Sequence, residues 1–283
     1  KRPDSPEIEG ILQAQRRLEA GDASAPLEMR GSVLAWSFHP MGCRVVQAAL
    51  DLCNTADGAK LAAELKGHVR EACEDKHANF VVAKVVTVLP AEHTSFVARE
   101  LRAFAEAGVR HKFCCRIFCR LIEHASSHPE AASLIEDVVA RRAPELGRHE
   151  FAHFVVAHVL EHGLPQHRAM ATASLLKSGL AQLARHRYGR FAVEALFHHS
   201  SRQSQIAALD RLRGQANLVE LAQHECGHTA ISAAMQSPMG TTLAEYLAAS
   251  AAELSGTKFG QRVLQDAEQL LVPRDRAMAV CGA

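Results

Sequence analysis

The stretch HKFCCRIFCRLIEHA, residues 111–125, concentrates the residue types that most readily do chemistry. It places Cys114, Cys115 and Cys119 between His111 and His124. Thiolates and imidazoles are common zinc ligands, and residues four apart lie on one face of a helix. The stretch could therefore be a metal site or a reactive thiol site, although the CxxC pairs typical of zinc sites are absent.

The rest of the sequence offers little support for either chemistry. A cysteine nucleophile needs a histidine and an orienting group that converge in space, and 17 histidines make accidental pairs common. The chain has no GxxxxGK[ST], no GxGxxG between a strand and a helix, and no HExxH. We therefore predict no catalytic residues, no bound metal and no cofactor, and we expect that the protein is not an enzyme.

Composition excludes several classes of protein. With 48% hydrophobic residues, the 283-residue chain can build an ample core, so disorder over most of its length is excluded. Lysine plus arginine (32) nearly balances aspartate plus glutamate (31), so no global basic field attracts polyanions. Any polyanion site must be local, for example near the short basic run RHRYGR (185–190).

Cysteine usage and hydropathy bear on the compartment. Eight cysteines at irregular spacing, in a chain too large to need disulfide staples, indicate reduced thiols and an intracellular protein, with the cytoplasm favoured over the nucleus or an organelle. No apolar run approaches the roughly 18 residues of a membrane span, so we expect no membrane association. Because the chain begins at Lys1 rather than methionine, we expect a processed or trimmed piece.

The cysteine-rich stretch recurs, in a modified form, along most of the chain. It aligns with MGCRVVQAALDL (41–52), HANFVVAKVVTVL (77–89), FAHFVVAHVLEHG (151–163), YGRFAVEALFHHS (188–200), CGHTAISAAMQS (226–237) and FGQRVLQDAEQL (259–270). We take the residue after the small Gly, Ala or Cys as the marker, at position i; the seven markers are Cys43, Asn79, Cys115, His153, Arg190, His228 and Gln261. The steps between them are 36, 36, 38, 37, 38 and 33 residues.

This period, with few aromatic residues and apolar residues at helical spacing, predicts an all-α fold, specifically an α-solenoid of armadillo/HEAT-like superhelical type. Val45, Val46, Ala49 and Leu50 exemplify the predicted buried face. Each unit should contain a short leading helix, a marker helix and a longer return helix. Residues 1–30 are predicted to be a terminal cap or a degenerate extra repeat, and residues 31–283 to be the repeat domain.

Stacked repeats bring equivalent marker-helix positions into columns. Positions i, i+1 and i+4 read Cys43/Arg44/Gln47, Asn79/Phe80/Ala83, Cys115/Arg116/Cys119, His153/Phe154/Ala157, Arg190/Phe191/Glu194, His228/Thr229/Ser232 and Gln261/Arg262/Gln265. Position i+1 is arginine or phenylalanine in six of the seven repeats. Planar side chains spaced one per repeat suit a row of splayed bases, which would stack on them.

These residues resemble those of a known family. HPMGCRVVQAALDLC (39–53) and FAHFVVAHVLEHG are similar to the repeat of the Pumilio (PUF) RNA-binding proteins. The resemblance covers about residues 31–283. It implies about seven PUF-type three-helix repeats forming a crescent whose concave face binds single-stranded RNA. It also implies that residues at i and i+4 contact the base edge and that residues at i+1 stack.

The departures from that family pattern predict weak base discrimination in several repeats. By the resemblance, Cys43 with Gln47 fits an adenine-type pair, whereas Ala83 and Ala157 remove a hydrogen-bonding group. Arg190 is predicted to pair with Glu194 at i, i+4, which would blunt guanine recognition. Of the stacking residues, Phe154 and Phe191 are the two that we expect to be merely packed.

Histidines before the marker helices recur at His39, His77, His111, His149, His186 and His224. A structural role is favoured for them over a phosphate-facing one. Two functions stay open for the whole chain. One is RNA binding in post-transcriptional regulation or RNA processing, by a monomer that could also bind effector proteins on its convex face. The other is a non-catalytic scaffold for protein partners, which the near-zero net charge favours.

Overall fold

The computed structural model describes residues 6–272, which form helices joined by short links, with no strand in that range. Contacts divide the chain into two units, Lys1–Val138 and Val139–Ala283. Across residues 6–272, every helix is too short or too polar to cross a lipid bilayer. The predicted all-α class is confirmed.

The first unit carries three marker helices. Its helices are α1 (Pro6–Glu19), α2 (Ala25–Glu28), α3 (Val33–Ser37), α4 (Gly42–Leu52), α5 (Thr55–Ala62), α6 (Val69–Glu74), α7 (Ala78–Val88), α8 (Ala91–Arg102), α9 (Ala105–Gly108), α10 (Cys115–His124) and α11 (Pro129–Val138). A 3₁₀ turn, Ala63–Leu65, extends α5. The marker helices are α4, α7 and α10.

The second unit carries four more marker helices. After a 3₁₀ turn at Ala140–Arg142 come α12 (Ala143–Leu146), α13 (Ala152–His162), α14 (Pro165–Leu176), α15 (Leu180–Arg185), α16 (Gly189–His199), α17 (Arg202–Gln215), α18 (Leu218–Gln223), α19 (Gly227–Met235), α20 (Gly240–Ala249), α21 (Ala251–Leu254) and α22 (Lys258–Leu271). The marker helices are α13, α16, α19 and α22. The predicted order of leading, marker and return helix holds in the first six repeats; in the seventh, the leading helix α21 and the marker helix α22 lie within residues 6–272, and the expected return helix lies outside the described residues.

The apolar stripe of each marker helix forms the core. Val45, Val46, Ala49 and Leu50 are all buried, as their helical spacing predicts. The equivalent residues of α13, Val155, Val156, Val159 and Leu160, are buried as well. Burying a valine or leucine side chain stabilises the fold by about 1.5–3 kcal/mol, so these stripes supply much of the stability of each unit.

A polar side chain four residues before each marker accepts hydrogen bonds at the start of the marker helix. The seven residues are His39, Asp75, His111, His149, His186, His224 and Thr257. At α19, for example, Nδ1 of His224 accepts the backbone N–H groups of Cys226 and Gly227 at 3.1 and 3.3 Å. These N–H groups have no partner inside the helix, so the side chain replaces one.

The structural role predicted for the recurrent histidines is therefore confirmed for five of them. His77, which lies two residues before its marker, does not cap its helix with its side chain. Asp75 takes the capping position there, and its Oδ1 accepts the N–H groups of His77 and Ala78 at 2.7 and 2.8 Å.

In each of the first two repeats, a glutamate on the return segment accepts a hydrogen bond from the loop before the leading helix. Glu64 accepts the N–H of Gly31 at 2.7 Å, and Glu100 accepts the N–H of Gly67 at 2.9 Å. Both glycines have left-handed backbone, with φ of 86° and 82°, which glycine adopts without strain. Each bond fixes the loop that leads into its own repeat.

The close approach of leading and marker helices explains the small residue before each marker. A Cβ added to Gly227 would lie 2.5 Å from the carbonyl oxygen of Leu221 on the leading helix α18. A larger side chain there would force the two helices apart, so the small position sets where each marker helix begins.

Candidate nucleic-acid interface

Equivalent marker-helix positions lie side by side within each unit. In the first unit α4 packs on α7 and α7 on α10; in the second, α13, α16, α19 and α22 pack in chain order. Across α7 and α10 the guanidinium of Arg116 lies 5.4 Å from the ring centroid of Phe80. Both residues occupy position i+1, so this column is continuous between these two repeats.

The i+1 column is the solvent-facing part of the marker helices. Its members are exposed or half-buried in every repeat: Arg44, Phe80, Arg116, Phe154, Phe191, Thr229 and Arg262. Of the eleven phenylalanines, all within residues 6–272, only Phe80 and Phe154 are exposed, at 44% and 52%. Placing an aromatic ring in water has no packing benefit, so both rings are candidates for binding a ligand.

Phe154 and Phe191, both expected to be merely packed, differ in their exposure. Phe191 is half-buried, with the guanidinium of Arg190 4.1 Å from its ring centroid. For Phe154 the expectation is wrong, because half of its surface is open to solvent. Sequence could not distinguish the two, since the partner that covers Phe191 comes from the fold.

Position i is more buried than its predicted contact with bases suggests. In the first unit Cys43, Asn79 and Cys115 are all buried. Asn79 Nδ2 donates to the carbonyl oxygen of Asp75 at 2.7 Å, and the buried Oδ1 has no partner among the described residues. The Sγ of Cys43 donates to the carbonyl oxygen of Pro40 at 3.4 Å. These side chains face their own helix backbone in the free protein.

In the first unit, the residues at position i+4 are hydrogen-bonded within the protein, apolar or buried. Gln47 is half-buried and its Nε2 donates to the carbonyl oxygen of Cys43 at 2.9 Å. Ala83 offers no polar atom, and Cys119 is buried. The Cys43/Gln47 pair is thus held together within one helix turn.

Burial disfavours the thiolate form of Cys115 and Cys119, two of the three thiols of the cysteine-rich stretch. Burial raises the pKa of Cys115 to about 11 and raises that of Cys119 further. A hydrogen bond with Cys114, together with burial, raises the pKa of Cys73. Nucleophilic and zinc-binding cysteines need the thiolate, which these surroundings disfavour. His111 Nδ1 is occupied as a helix cap, accepting the Cys114 N–H at 3.4 Å.

Arg190 makes the predicted pair and one contact more. Its Nη1 lies 3.3 Å from Oε1 of Glu194, which confirms the pair at i, i+4. The same nitrogen donates to Oγ1 of Thr229, at position i+1 of the next repeat, at 3.4 Å. The arginine therefore contacts the carboxylate of Glu194 in its own repeat and the hydroxyl of Thr229 in the next, two polar groups that a base could otherwise contact.

His153 and His228, both at position i, share a second arrangement. Each is buried, and each Nδ1 lies within hydrogen-bonding distance of a carbonyl oxygen four residues earlier, His149 at 3.0 Å and His224 at 3.3 Å. Each ring also stacks on an aromatic residue two positions before the next marker, Tyr188 at 5.3 Å and Phe259 at 4.7 Å between centroids. Burial lowers the pKa of His153, which favours the neutral ring.

The last repeat presents exposed polar side chains, and one of them is bonded: Nε2 of Gln261 donates to the carbonyl oxygen of Ser255 at 2.8 Å. Gln261, Arg262 and Gln265 are exposed. Ser232 donates to Oδ2 of Asp266 at 2.6 Å, which links positions of adjacent repeats. Tyr188, Phe259 and Asp266 were not predicted from sequence. The aromatic pair could have been found, because Phe113, Phe151, Tyr188 and Phe259 all lie two residues before a marker.

Fold and site define a class: a solenoid of three-helix repeats that exposes one planar or polar side chain per marker helix. The model of the Pumilio-family RNA binding repeat matches residues 32–66 and 142–171, which hold the first and fourth marker helices. These two segments are similar to the Pumilio-family repeat, and the resemblance found in the sequence is confirmed over them.

Two curated proteins are similar to part of the chain. The chain is 24% identical over 181 residues to Fem-3 mRNA-binding factor 2 of Caenorhabditis elegans, covering 56% of this chain and 28% of the relative. Fem-3 mRNA-binding factor 1 gives 24% over 193 residues, covering 60% and 31%. The matches thus span less than a third of the relatives' length.

Two solved structures illustrate the shared fold. PUF-8 in complex with PBE-RNA matches 93% of this chain and 78% of its own, with a TM-score of 0.77 and 17% identity. The Puf4 RNA binding domain bound to the HO endonuclease RNA 3′ UTR recognition sequence matches 93% and 84%, with a TM-score of 0.78 and 16% identity. The predicted solenoid class is confirmed.

Proposed function

We propose that the chain binds single-stranded RNA through the i+1 column of its marker helices and acts in post-transcriptional regulation or RNA processing. The observation that carries the proposal is the exposure of Phe80 and Phe154, the two exposed phenylalanines of the chain, both at position i+1. Aromatic and guanidinium planes at one per repeat match the spacing of splayed bases.

The comparisons support this proposal. The similar curated proteins are named as mRNA-binding factors, and the similar solved domains were in complex with RNA. Binding of RNA by this chain is inferred from them, together with the exposed column. The near-neutral charge of the chain makes stacking, rather than phosphate neutralisation, the larger contribution to affinity.

The position of each residue on its marker helix indicates its role in RNA binding. Arg44, Phe80, Arg116, Phe154 and Phe191 stack on bases; Arg262 does the same at the last repeat. Cys43 with Gln47 contacts one base edge, by the resemblance an adenine. Asn79 and Cys115 need a rotamer change to reach a base, because both now face their helix backbone. Base discrimination is therefore uneven along the chain.

A binding protein, rather than an enzyme, also fits the cysteines. Burial raises the pKa of Cys43, Cys53, Cys115 and Cys119, the opposite of what a nucleophilic thiol needs. The described cysteines are free thiols, which supports an intracellular location. Helix α1, packed on α4, would serve as the N-terminal cap of a monomer.

Selection from a randomised single-stranded RNA pool tests the proposal. We expect enrichment of a short sequence, with an affinity that falls as salt rises. The Phe80→Ala variant should bind the selected RNA about fivefold or more weakly, since a base stacked on an aromatic ring contributes about 1–3 kcal/mol. Tyr246→Ala is the matched control, because Tyr246 is 47% exposed but lies on the return helix α20.

Absence of enrichment, together with no salt-dependent affinity, would refute RNA binding. Equal losses for Tyr246→Ala would show that general surface contacts, not the column, carry the affinity. The second candidate, a protein-binding scaffold, is favoured by the net charge of +1 and by polar groups already paired at Arg190 and Glu194. In that case the same pool would yield no sequence.

A further inference from the structure

His153 lies at the centre of an aromatic cluster on α13 and α16. Its ring centroid is 3.9 Å from that of Phe154, 5.0 Å from that of Phe191 and 5.3 Å from that of Tyr188. The ring is inclined by only 19° to Phe191 and 18° to Tyr188, so these two contacts are stacks. The imidazole thus joins the aromatic side chains of two adjacent marker helices.

The two phenylalanines are the i+1 residues of the fourth and fifth repeats, between which a base would stack under the proposed function. Aromatic rings stack at centroid separations of about 4.5–7 Å. The imidazole of His153 already stacks on Phe191 and makes a tilted ring contact with Phe154. A base that entered would have to displace it first.

His153 is also anchored in this position. Only 3% of it is exposed, and Nδ1 lies 3.0 Å from the carbonyl oxygen of His149. Burial lowers the pKa of the imidazole, so the ring is neutral and packs without the cost of a buried charge. Displacing it would break the hydrogen bond and three ring contacts together.

We propose that His153 occupies the space between Phe154 and Phe191, here called the stacking slot of the fourth repeat. The nucleotide facing this repeat is then passed over, and its base is not recognised. This inference rests on the proposed function. It assigns His153 as a residue that determines specificity by exclusion, in contrast to the base-contacting role that its position predicts.

No other described marker histidine closes a slot in this way. His228 has the same carbonyl contact and stacks on Phe259, but its i+1 neighbour is Thr229, which has no ring. Opening the sixth repeat by substitution would therefore create no aromatic slot. His228 supplies a control with similar burial and the same carbonyl contact, although it makes fewer ring contacts than His153.

An abasic scan of the selected RNA tests the proposal. Each nucleotide is replaced in turn by an abasic one, and the affinity of the full chain is measured. For the wild type we expect one interior position whose base can be removed without loss. For His153→Asn that same position should become sensitive, by about fivefold or more, because a base can now stack there. Asparagine keeps the anchoring bond, as Asn79 does with Asp75.

The controls separate the possible causes. His228→Asn should leave the scan unchanged, and Phe154→Ala in the His153→Asn background should remove the new sensitivity. Thermal unfolding reports whether each variant is folded, with His153→Ala as a second opening variant. The wild-type scan needs no variant and decides by itself if both variants fail to fold.

The results of the abasic scan distinguish failure of this inference from failure of the proposed function. Sensitivity at every interior position of the wild type, or an unchanged scan with folded His153→Asn, would overturn the inference while leaving RNA binding intact. Failure of the wild type to bind any selected RNA would overturn both.

Discussion

At Phe80 and Arg116, two planar side chains of adjacent repeats touch in the absence of any ligand. Their separation of 5.4 Å is a cation–π contact, which contributes about 0.5–1 kcal/mol at an exposed site. A base that enters between them gains two stacking faces and gives up this smaller contact. The slot is therefore closed in the free protein at low cost, unlike the one that His153 fills.

Removing the guanidinium should weaken RNA binding. Arg116→Ala deletes one stacking face and one positive charge, so we expect a loss of about fivefold or more in affinity and a shallower salt dependence. Arg99→Ala removes the same charge from the exposed face of the return helix α8 and should have little effect. Equal effects of the two variants in filter binding would show that charge alone matters.

Gln47 offers a test of base recognition. Its Nε2 now donates to the carbonyl oxygen of Cys43, and a glutamate cannot make that bond. In Gln47→Glu the carboxylate should turn away from the carbonyl and accept hydrogen bonds from a base instead. We expect the preference at one nucleotide near the 3′ end of the selected RNA to change. If repeated pool selection returned the wild-type sequence, the assignment of Gln47 would be wrong.

At the scale of the helices, the residue four before each marker controls how the marker helix begins. Histidine can do this only with an unprotonated Nδ1, whereas Asp75 and Thr257 do it with an oxygen. The common requirement is an acceptor for N–H groups that the helix leaves unpaired. The residue type varies because the acceptor, not the ring, is what the fold needs.

Removal of one cap should cost stability that an oxygen acceptor restores. We expect His224→Ala to lower the free energy of unfolding by about 0.5–2 kcal/mol, the usual cost of losing an N-terminal cap. His224→Asp should recover most of this, because Asp75 caps α7 in the same way. Urea titration measures both. Equal stability of the Ala and Asp variants would show that His224 does not act as a cap.

The repeats could be predicted because they are periodic in sequence. The spacing of Val45, Val46, Ala49 and Leu50 identifies the buried face, and the marker register identifies the i+1 column. The sequence groups His77 with the capping histidines because of its residue type, but His77 lies two residues before its marker and the caps lie four residues before theirs. Rotamers were beyond prediction: nothing local indicates that Asn79 turns inward or that Ser232 bonds to Asp266 of the next repeat.

At the scale of the whole molecule, the nearly balanced charge makes the titration of buried and half-buried histidines the main effect of mild acid. Burial lowers the pKa of His153, His186 and His199, all in the second unit. For His186 and His199, neighbouring positive groups contribute as well, Arg148 and Arg187 beside His186 and Arg168 beside His199. Each imidazole is therefore more easily protonated when the chain is unfolded.

The sign of the pH dependence follows. The unfolded histidines bind protons at about pH 6.5, and the folded ones only at lower pH, so below neutrality the unfolded state holds more protons. The stabilisation is complete above the unfolded pKa and is lost as the pH falls through it. We expect the thermal midpoint to fall between about pH 8 and about pH 5.5, before most carboxylates titrate.

Hydrogen exchange locates the loss. Protection should fall in residues 139–272 at the lower pH. His153→Asn should reduce the pH dependence of the thermal midpoint, because it removes one of the three groups, whereas substitution of the exposed His93 should leave it unchanged. A thermal midpoint independent of pH over this range, or a loss of protection confined to residues 6–138, would contradict this account of the buried histidines.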